Sequence, residues 1–167
     1  KQGYYWLKYL HTHALGGCLA DDMGLGKTVQ AITLLSAFYP QESLPSLIVM
    51  PKSLIFNWQR ELDRFQPNLS YYVFYGNDRD LEQIPKHQLT LTTYGMLRNQ
   101  IEQLQEIPFC YIILDESQNI KNLQSQTSKA ALLLNGKHRL ALRGTPLENN
   151  LGELYSLFRV LNPARFG

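Results

Sequence analysis

The sequence predicts an α/β domain of three layers, a mainly parallel sheet with helices on both faces. Short continuous apolar runs recur, such as Ser46-Leu47-Ile48-Val49-Met50 and Cys110-Tyr111-Ile112-Ile113-Leu114, as expected of strands buried on both faces. Segments with helical periodicity separate them. The clearest covers residues 53–65, with Leu54, Trp58, Leu62 and Phe65 on one side. Strands alternating with helices call for crossover connections and hence parallel pairing. The 167 residues are enough for one domain with its own core.

Taken in order, residues 2–14 read as an aromatic-rich helix with Tyr4, Leu7 and Leu10 on one face, and Gly16-Gly17 breaks it. Residues 17–20 read as a first buried strand and residues 28–35 as a helix. After a polar loop comes the strand at 46–50, which Pro51 ends. The helix at 53–65 stops at Pro67-Asn68. Its polar side carries Asn57, Gln59, Arg60, Asp63 and Arg64, with Lys52 just ahead of it. Residues 71–75 form a strand closed by Gly76-Asn77-Asp78, and a short helical stretch is expected around 79–84. The alternating, β-rich residues 89–94 read as a strand, followed by a helix at 95–105. After the strand at 110–114 come a polar turn at 117–124 and a helix at 125–134, ended by Asn135-Gly136. Residues 140–142 are the last strand. A final helix carries Leu151, Leu154, Leu157, Phe158 and Leu161 and ends at Asn162-Pro163.

Composition narrows the function classes. Hydrophobic residues make up 44% and charged residues 18%, as in water-soluble globular domains. No apolar run approaches a membrane span, so no membrane role is expected. The N-terminus lacks a signal-peptide pattern, and a chain that opens Lys1-Gln2-Gly3 without an initiator Met is expected to be a fragment. Lys and Arg total 16 against 14 for Asp and Glu, a net charge of +2 that is too balanced to argue for nucleic acid by itself. Cys18 and Cys110 sit in apolar runs and read as small core residues in a reducing, intracellular compartment. His11 and His13 would point to different helix faces, which argues against a metal pair.

Residues 19–28 read L-A-D-D-M-G-L-G-K-T. A strand, a glycine-bearing turn and a helix opening with Lys-Thr form the design of a phosphate-binding loop. Gly24 and Gly26 allow the backbone to turn tightly and bring its N–H groups to an anion, and the helix N-terminus adds positive potential there. The expected nucleotide cradle is Asp22, Met23, Gly24, Leu25, Gly26, Lys27, Thr28 and Val29. Lys27 would reach the β- and γ-phosphates of ATP, and the Thr28 hydroxyl would ligate Mg²⁺. Asp21 stands where the usual pattern has its first glycine. Asp115-Glu116 follows the strand at 110–114. Alone it would be a turn cap. Beside a phosphate loop it reads as a pair, Asp115 for Mg²⁺ and Glu116 to orient a water and accept its proton. The phosphate loop, Asp115-Glu116 and Arg143-Gly144-Thr145 all follow strand ends, where parallel sheets bind ligands.

These motifs together resemble the first RecA-like lobe of the SWI/SNF-type chromatin-remodelling ATPases of helicase superfamily two. The resemblance covers nearly the whole chain. It rests on residues 19–28 (motif I), Pro51-Lys52-Ser53-Leu54 with Asn57-Trp58 and Glu61 (motif Ia), and Thr92-Thr93-Tyr94. It rests also on residues 112–118 with Ile120-Lys121-Asn122 (motif II, DEAH/DEAQ type), and on Gly144-Thr145-Pro146-Leu147 with Asn149-Asn150-Leu151 (motif III). Asp at position 21 is normal in that family. The resemblance implies a RecA-like P-loop fold over residues 1–167, the N-terminal lobe of a two-lobe motor. It implies ATP-dependent translocation on double-stranded DNA in the cytoplasm and nucleoid or in the nucleus. The second RecA-like lobe of the same protein and further accessory domains would be its partners. Gln118 would sense the γ-phosphate, Lys52, Ser53 and Thr93 would touch the DNA backbone, and Gly144 and Thr145 would couple nucleotide to DNA. The family's adenine-reading glutamine lies in a Tyr-Gln pair upstream of Gly3 that this chain is expected to start after, its motif III usually has Ser or Thr where Arg143 stands, and its arginine finger belongs to the second lobe.

Three function classes compete on these residues. The first is a DNA-stimulated ATPase. The second is a nucleotide-binding scaffold with weak or no turnover, suggested by Arg143 and Ser117. The third is a small-molecule kinase, for which no lid or acceptor pocket is evident. Lys52, Arg60 and Arg64 fit either a DNA contact or a solvated helix face.

Overall fold

The computed structural model describes residues 25–39, 43–117 and 125–142. Helix α1 (Leu25–Phe38) leads to strand β1 (Ser46–Met50). A 3₁₀ turn (Lys52–Leu54) passes into helix α2 (Ile55–Phe65) and then strand β2 (Tyr71–Val73). A second 3₁₀ stretch (Leu81–Lys86) precedes β3 (Leu89–Thr93), α3 (Tyr94–Leu104), β4 (Phe109–Leu114), α4 (Gln126–Leu133) and β5 (Gly136–Ala141). The expected first helix and strand, at residues 2–14 and 17–20, and the final helix lie outside the described residues.

Among the described residues the strands form one five-stranded sheet in the order β2-β3-β1-β4-β5. Every neighbouring pair is parallel, as the alternation of strands and helices requires. β2 and β3 lie on one side of β1 and β4 and β5 on the other, so the chain crosses β1 between β3 and β4, and in such sheets ligands bind beyond the carboxyl ends of the strands.

β1 shows why the layers stack as they do. All of its residues are buried, and alternate side chains serve different cores. Ile48 and Met50 pack with Leu91 and Ile113 against Ala31, Ile32 and Leu35 of α1 and Trp58 and Leu62 of α2. Leu47 and Val49 pack with Ile112 and Leu114 against Leu97 and Leu104 of α3 and Ala130 and Ala131 of α4. Helices thus cover both faces, which is the three-layer architecture expected. No helix of the described residues is long and apolar enough to cross a membrane.

Several boundaries differ from the sequence reading. α1 begins at Leu25, not Thr28, so the last residues of the glycine-bearing turn are already its first turn. Tyr94 opens α3 instead of closing β3, because the Thr93 hydroxyl caps that helix by accepting the Met96 N–H at 3.0 Å. β2 ends at Val73 because the carbonyl of Phe74 is taken by the Thr92 hydroxyl at 2.8 Å. Gly76, at φ 98°, then turns the chain away.

The largest correction concerns β5, which starts at Gly136 and not at 140. Lys137, His138 and Arg139 hid it by their polarity. The buried Arg139 donates to the carbonyls of Ala131 (2.6 Å) and Leu134 at the end of α4, where helix carbonyls run short of backbone partners. Gly136 therefore does not cap that helix. It permits close approach, since a Cβ there would lie 2.4 Å from Cδ1 of Ile112.

Candidate nucleotide site

The site begins with two backbone facts. The N-terminal turn of α1 carries no acidic side chain, and the first amide groups of a helix have no partners within it. Such an end favours an anion, and its first turn carries Lys27 and Thr28, both side chains buried. The second fact is that β4 delivers Asp115 to the sheet's carboxyl edge. The Asp115 N–H still donates to Val49 O at 2.8 Å, so the ladder with β1 holds its backbone one residue past the strand.

Lys27 and the two carboxylates meet at that edge. Its ammonium donates to Oδ1 of Asp115 at 2.8 Å and to Oε2 of Glu116 at 2.7 Å. The Lys27 and Asp115 side chains are 5% and 2% exposed, while Glu116 is 23% exposed. The tie between Lys27 and Asp115 is therefore barely screened by water, and Glu116 faces the open side. Glu116 has φ 50°, a left-handed conformation rare outside glycine. Such backbone strain concentrates at functional sites and is held here by the bonds on either side. The Glu116 N–H donates to Oδ1 of Asp115 at 2.8 Å, and the Ser117 N–H donates to Leu142 O at 2.8 Å.

Two more donors hold Asp115, and the sequence reading assigned neither. The indole Nε1–H of Trp58, in α2, donates to Oδ2 at 2.7 Å. The phenol of Tyr94, at the start of α3, donates to the Asp115 carbonyl at 2.7 Å. Trp58 read as part of an apolar helix face and Tyr94 as the end of a strand, and both fell within motifs of the resemblance without a role of their own. The available signal was chemical: a buried Trp or Tyr carries a polar end that needs a partner. Burial first, and then the nearby Asp115 and Glu116 charges, push the Tyr94 phenol well above its usual value of 10.0. It is therefore a neutral donor throughout the physiological range.

This donor set suits one kind of cation. Among the described residues no three His, Cys, Asp or Glu side chains group as an all-protein metal cage. A buried carboxylate, together with a Thr hydroxyl in the first turn of α1, is the sparse, hard-oxygen set that suits Mg²⁺ shared with phosphates and water. The pocket also already accepts positive charge, because the Lys27 ammonium sits between both carboxylates.

Near Asp115, a groove of about 410 Å³ is lined by Lys52, Tyr75, Thr93, Tyr94 and Arg98 among others. Lys52 and Thr93, two of the expected DNA-backbone contacts, thus share one depression. The Lys52 ammonium lies 5.4 Å from the centre of the Tyr75 ring. Ser53 is exposed in the same 3₁₀ turn. On the outer face of α2, Arg60 donates to Asn57 at 3.1 Å, and Arg64 lies over the Phe65 ring at 5.1 Å. Of the expected nucleotide cradle, Leu25, Gly26, Lys27, Thr28 and Val29 fall within α1. Asp22, Met23 and Gly24 lie outside the described residues, as do Gln118, Arg143, Gly144 and Thr145.

Comparison with known proteins gives a family and a fold. The family model described as the SNF2-related domain matches residues 1–167. The ISWI chromatin-remodeling complex ATPase ISW2 of Saccharomyces cerevisiae is 39% identical over 175 residues, covering 99% of this chain and 16% of the yeast protein. The DNA excision repair protein ERCC-6-like of Danio rerio is 43% identical over 171 residues, covering 95% of this chain and 12% of that protein. Among solved structures, the Sulfolobus solfataricus SWI2/SNF2 ATPase core in complex with dsDNA superposes with a TM-score of 0.78 at 42% identity. It covers 85% of this chain and 30% of that one. The chain spans between 9% and 19% of the length of such curated relatives.

Proposed function

The chain belongs to the SNF2-related domain family, and on that footing we propose that it is the N-terminal RecA-like, ATP-binding lobe of a DNA-dependent ATPase. The motor would translocate on double-stranded DNA inside the cell, with a second RecA-like lobe of the same protein closing over the nucleotide. The observation that carries this reading is the meeting of Lys27, in the first turn of α1, with Asp115 and Glu116.

The residues divide the work as follows. The amides of the first turn of α1 and the Lys27 ammonium take the β- and γ-phosphates of ATP. The Thr28 hydroxyl and the Asp115 carboxylate are the protein's ligands for Mg²⁺. When bound there, Mg²⁺ would supply positive charge against the charge that develops on the phosphates in transfer. Drawing Lys27 onto the phosphates releases Oε2 of Glu116, which then orients a water and accepts its proton. Gln118 and the Gly144-Thr145 pair complete the proposal as γ-phosphate sensor and coupling segment.

Lys52, Ser53 and Thr93 contact the DNA backbone along the groove. A threonine hydroxyl that accepts at a helix cap still has its hydrogen to donate to a phosphate. Phosphate contacts of this kind position the protein without reading sequence.

ATP turnover by the full-length protein, with and without duplex DNA, tests the assignment. Duplex DNA should stimulate turnover and Lys27→Ala should abolish it, with the lobe alone nearly inactive. Turnover unchanged by Lys27→Ala would remove the pocket from the chemistry. Nucleotide binding with no turnover under any condition would favour a scaffold.

A further inference from the structure

Asp115 is held by more donors than a turn cap needs. Its Oδ1 accepts from the Lys27 ammonium and the Glu116 N–H, both at 2.8 Å, and its Oδ2 accepts from the Trp58 indole at 2.7 Å. A carboxylate offers about four acceptor sites, so little of its capacity remains. One of these donors must leave when nucleotide binds, because Lys27 is then drawn to the phosphates. The Glu116 N–H belongs to the adjoining peptide and cannot by itself stop the carboxylate from rotating. The remaining restraint is Trp58, which is fully buried among Met50, Leu62 and Ile113 on the α1–α2 side of the sheet and is the sole donor recorded on Oδ2 among the described residues.

We propose that Trp58 is a positioning residue of the nucleotide site: its indole N–H fixes the rotation of the Asp115 carboxylate so that Oδ1 stays aimed at the position Lys27 vacates. The inference rests on the reading of Asp115 as the Mg²⁺ carboxylate. It adds that an uncharged donor from α2, not the lysine, sets the aim of that carboxylate. Charge matters here. A second cation on Oδ2 would compete electrostatically with the metal, whereas an indole N–H orients the carboxylate without adding a full positive charge. A buried indole also has few rotamers to lose, so the bond is formed in advance.

Trp58→Phe removes the N–H but also reshapes the packing. The sharper variant places benzothienylalanine at position 58, where sulfur replaces the N–H and the bicyclic shape is kept. Both are made in the full-length protein. The readout is Mg²⁺ titration of the fluorescence of bound N-methylanthraniloyl-ADP, with the thermal melting midpoint recorded alongside. Removing a group that orients a metal ligand weakens metal binding by about 10–100-fold. The isosteric variant should therefore need at least about tenfold more Mg²⁺ at half-saturation, with its melting midpoint close to wild type. If the isostere keeps the wild-type Mg²⁺ requirement, Trp58 only packs and the proposal is overturned, whatever Trp58→Phe does to stability. If the wild-type protein binds the fluorescent nucleotide with no Mg²⁺ dependence, the metal assignment of Asp115 fails and takes this proposal with it.

Discussion

Replacing Lys27 by Met should destabilise the nucleotide-free protein. The two side chains are 5% and 2% exposed and 2.8 Å apart, so the substitution strands a carboxylate that water reaches poorly. Removing one partner of a buried pair costs about 3–5 kcal/mol. Asp115 retains the Trp58 and Glu116 N–H donors, which places the expected loss at the low end of that range, about 3 kcal/mol. The second bond, to Glu116, adds less because that carboxylate is 23% exposed and screened. Asp115→Asn in the same background should recover part of the loss. A cycle of both single variants and the double variant should give a coupling of about 1.5–3 kcal/mol, the range for a buried charge-assisted bond. Urea unfolding followed by circular dichroism, without nucleotide or divalent cation, measures it. A coupling below about 0.5 kcal/mol, within the scatter of additivity, would refute the pairing and with it the idea that this pocket is built around positive charge.

Other expectations test the scaffold and the groove. Arg139→Met should cost about 1–3 kcal/mol in urea unfolding, because the buried carbonyls of Ala131 and Leu134 lose the guanidinium, Ala131 keeping the Leu134 N–H. Gly136→Ala should cost about 1–3 kcal/mol by forcing a Cβ against Ile112, whose side chain is fully buried. Burial pushes His138 down from 6.5 to about 3, so the folded state resists a proton that the unfolded chain accepts. The His138 contribution is therefore intact above pH 6.5 and is lost as pH falls toward 3, and it is small because the partly exposed ring stays within reach of water. His138→Phe, which keeps a ring beside Tyr111, should flatten the acid limb of a stability–pH curve. Lys52→Ala should lower the salt slope of duplex binding by about one unit, and an unchanged slope would remove Lys52 from the DNA contact.

Much of the fold was legible because its central strands are apolar on both faces. The runs at 46–50 and 110–114 could hardly be anything but buried strands, and both lie where expected. β5 was misread for a physical reason. Its Lys137-His138-Arg139 segment looks like a loop until Arg139 is seen serving the end of α4. The start of α3 was missed because Thr93 is both β-favouring and a good cap, and a side-chain bond decides between the two.

The nucleotide pocket divides in the same way. Lys27, Asp115 and Glu116 carry spacing and strand-end cues that survive in one dimension, and they do converge. Trp58 and Tyr94 could not be assigned from periodicity, since each occupies a position where any large apolar residue would fit. Only the three-dimensional course of α2 and α3 brings their polar ends to Asp115.

The most direct measurement of the central claim is ATP turnover by the full-length protein carrying Glu116→Gln, with duplex DNA present and nucleotide binding measured on the same sample. This substitution keeps the shape of the side chain and removes its basicity. Tight ATP binding with turnover reduced at least about a hundredfold is the predicted result, in line with the loss of a general base. Turnover at the wild-type rate would mean that water is activated elsewhere and that the meeting of Lys27, Asp115 and Glu116 is structural alone.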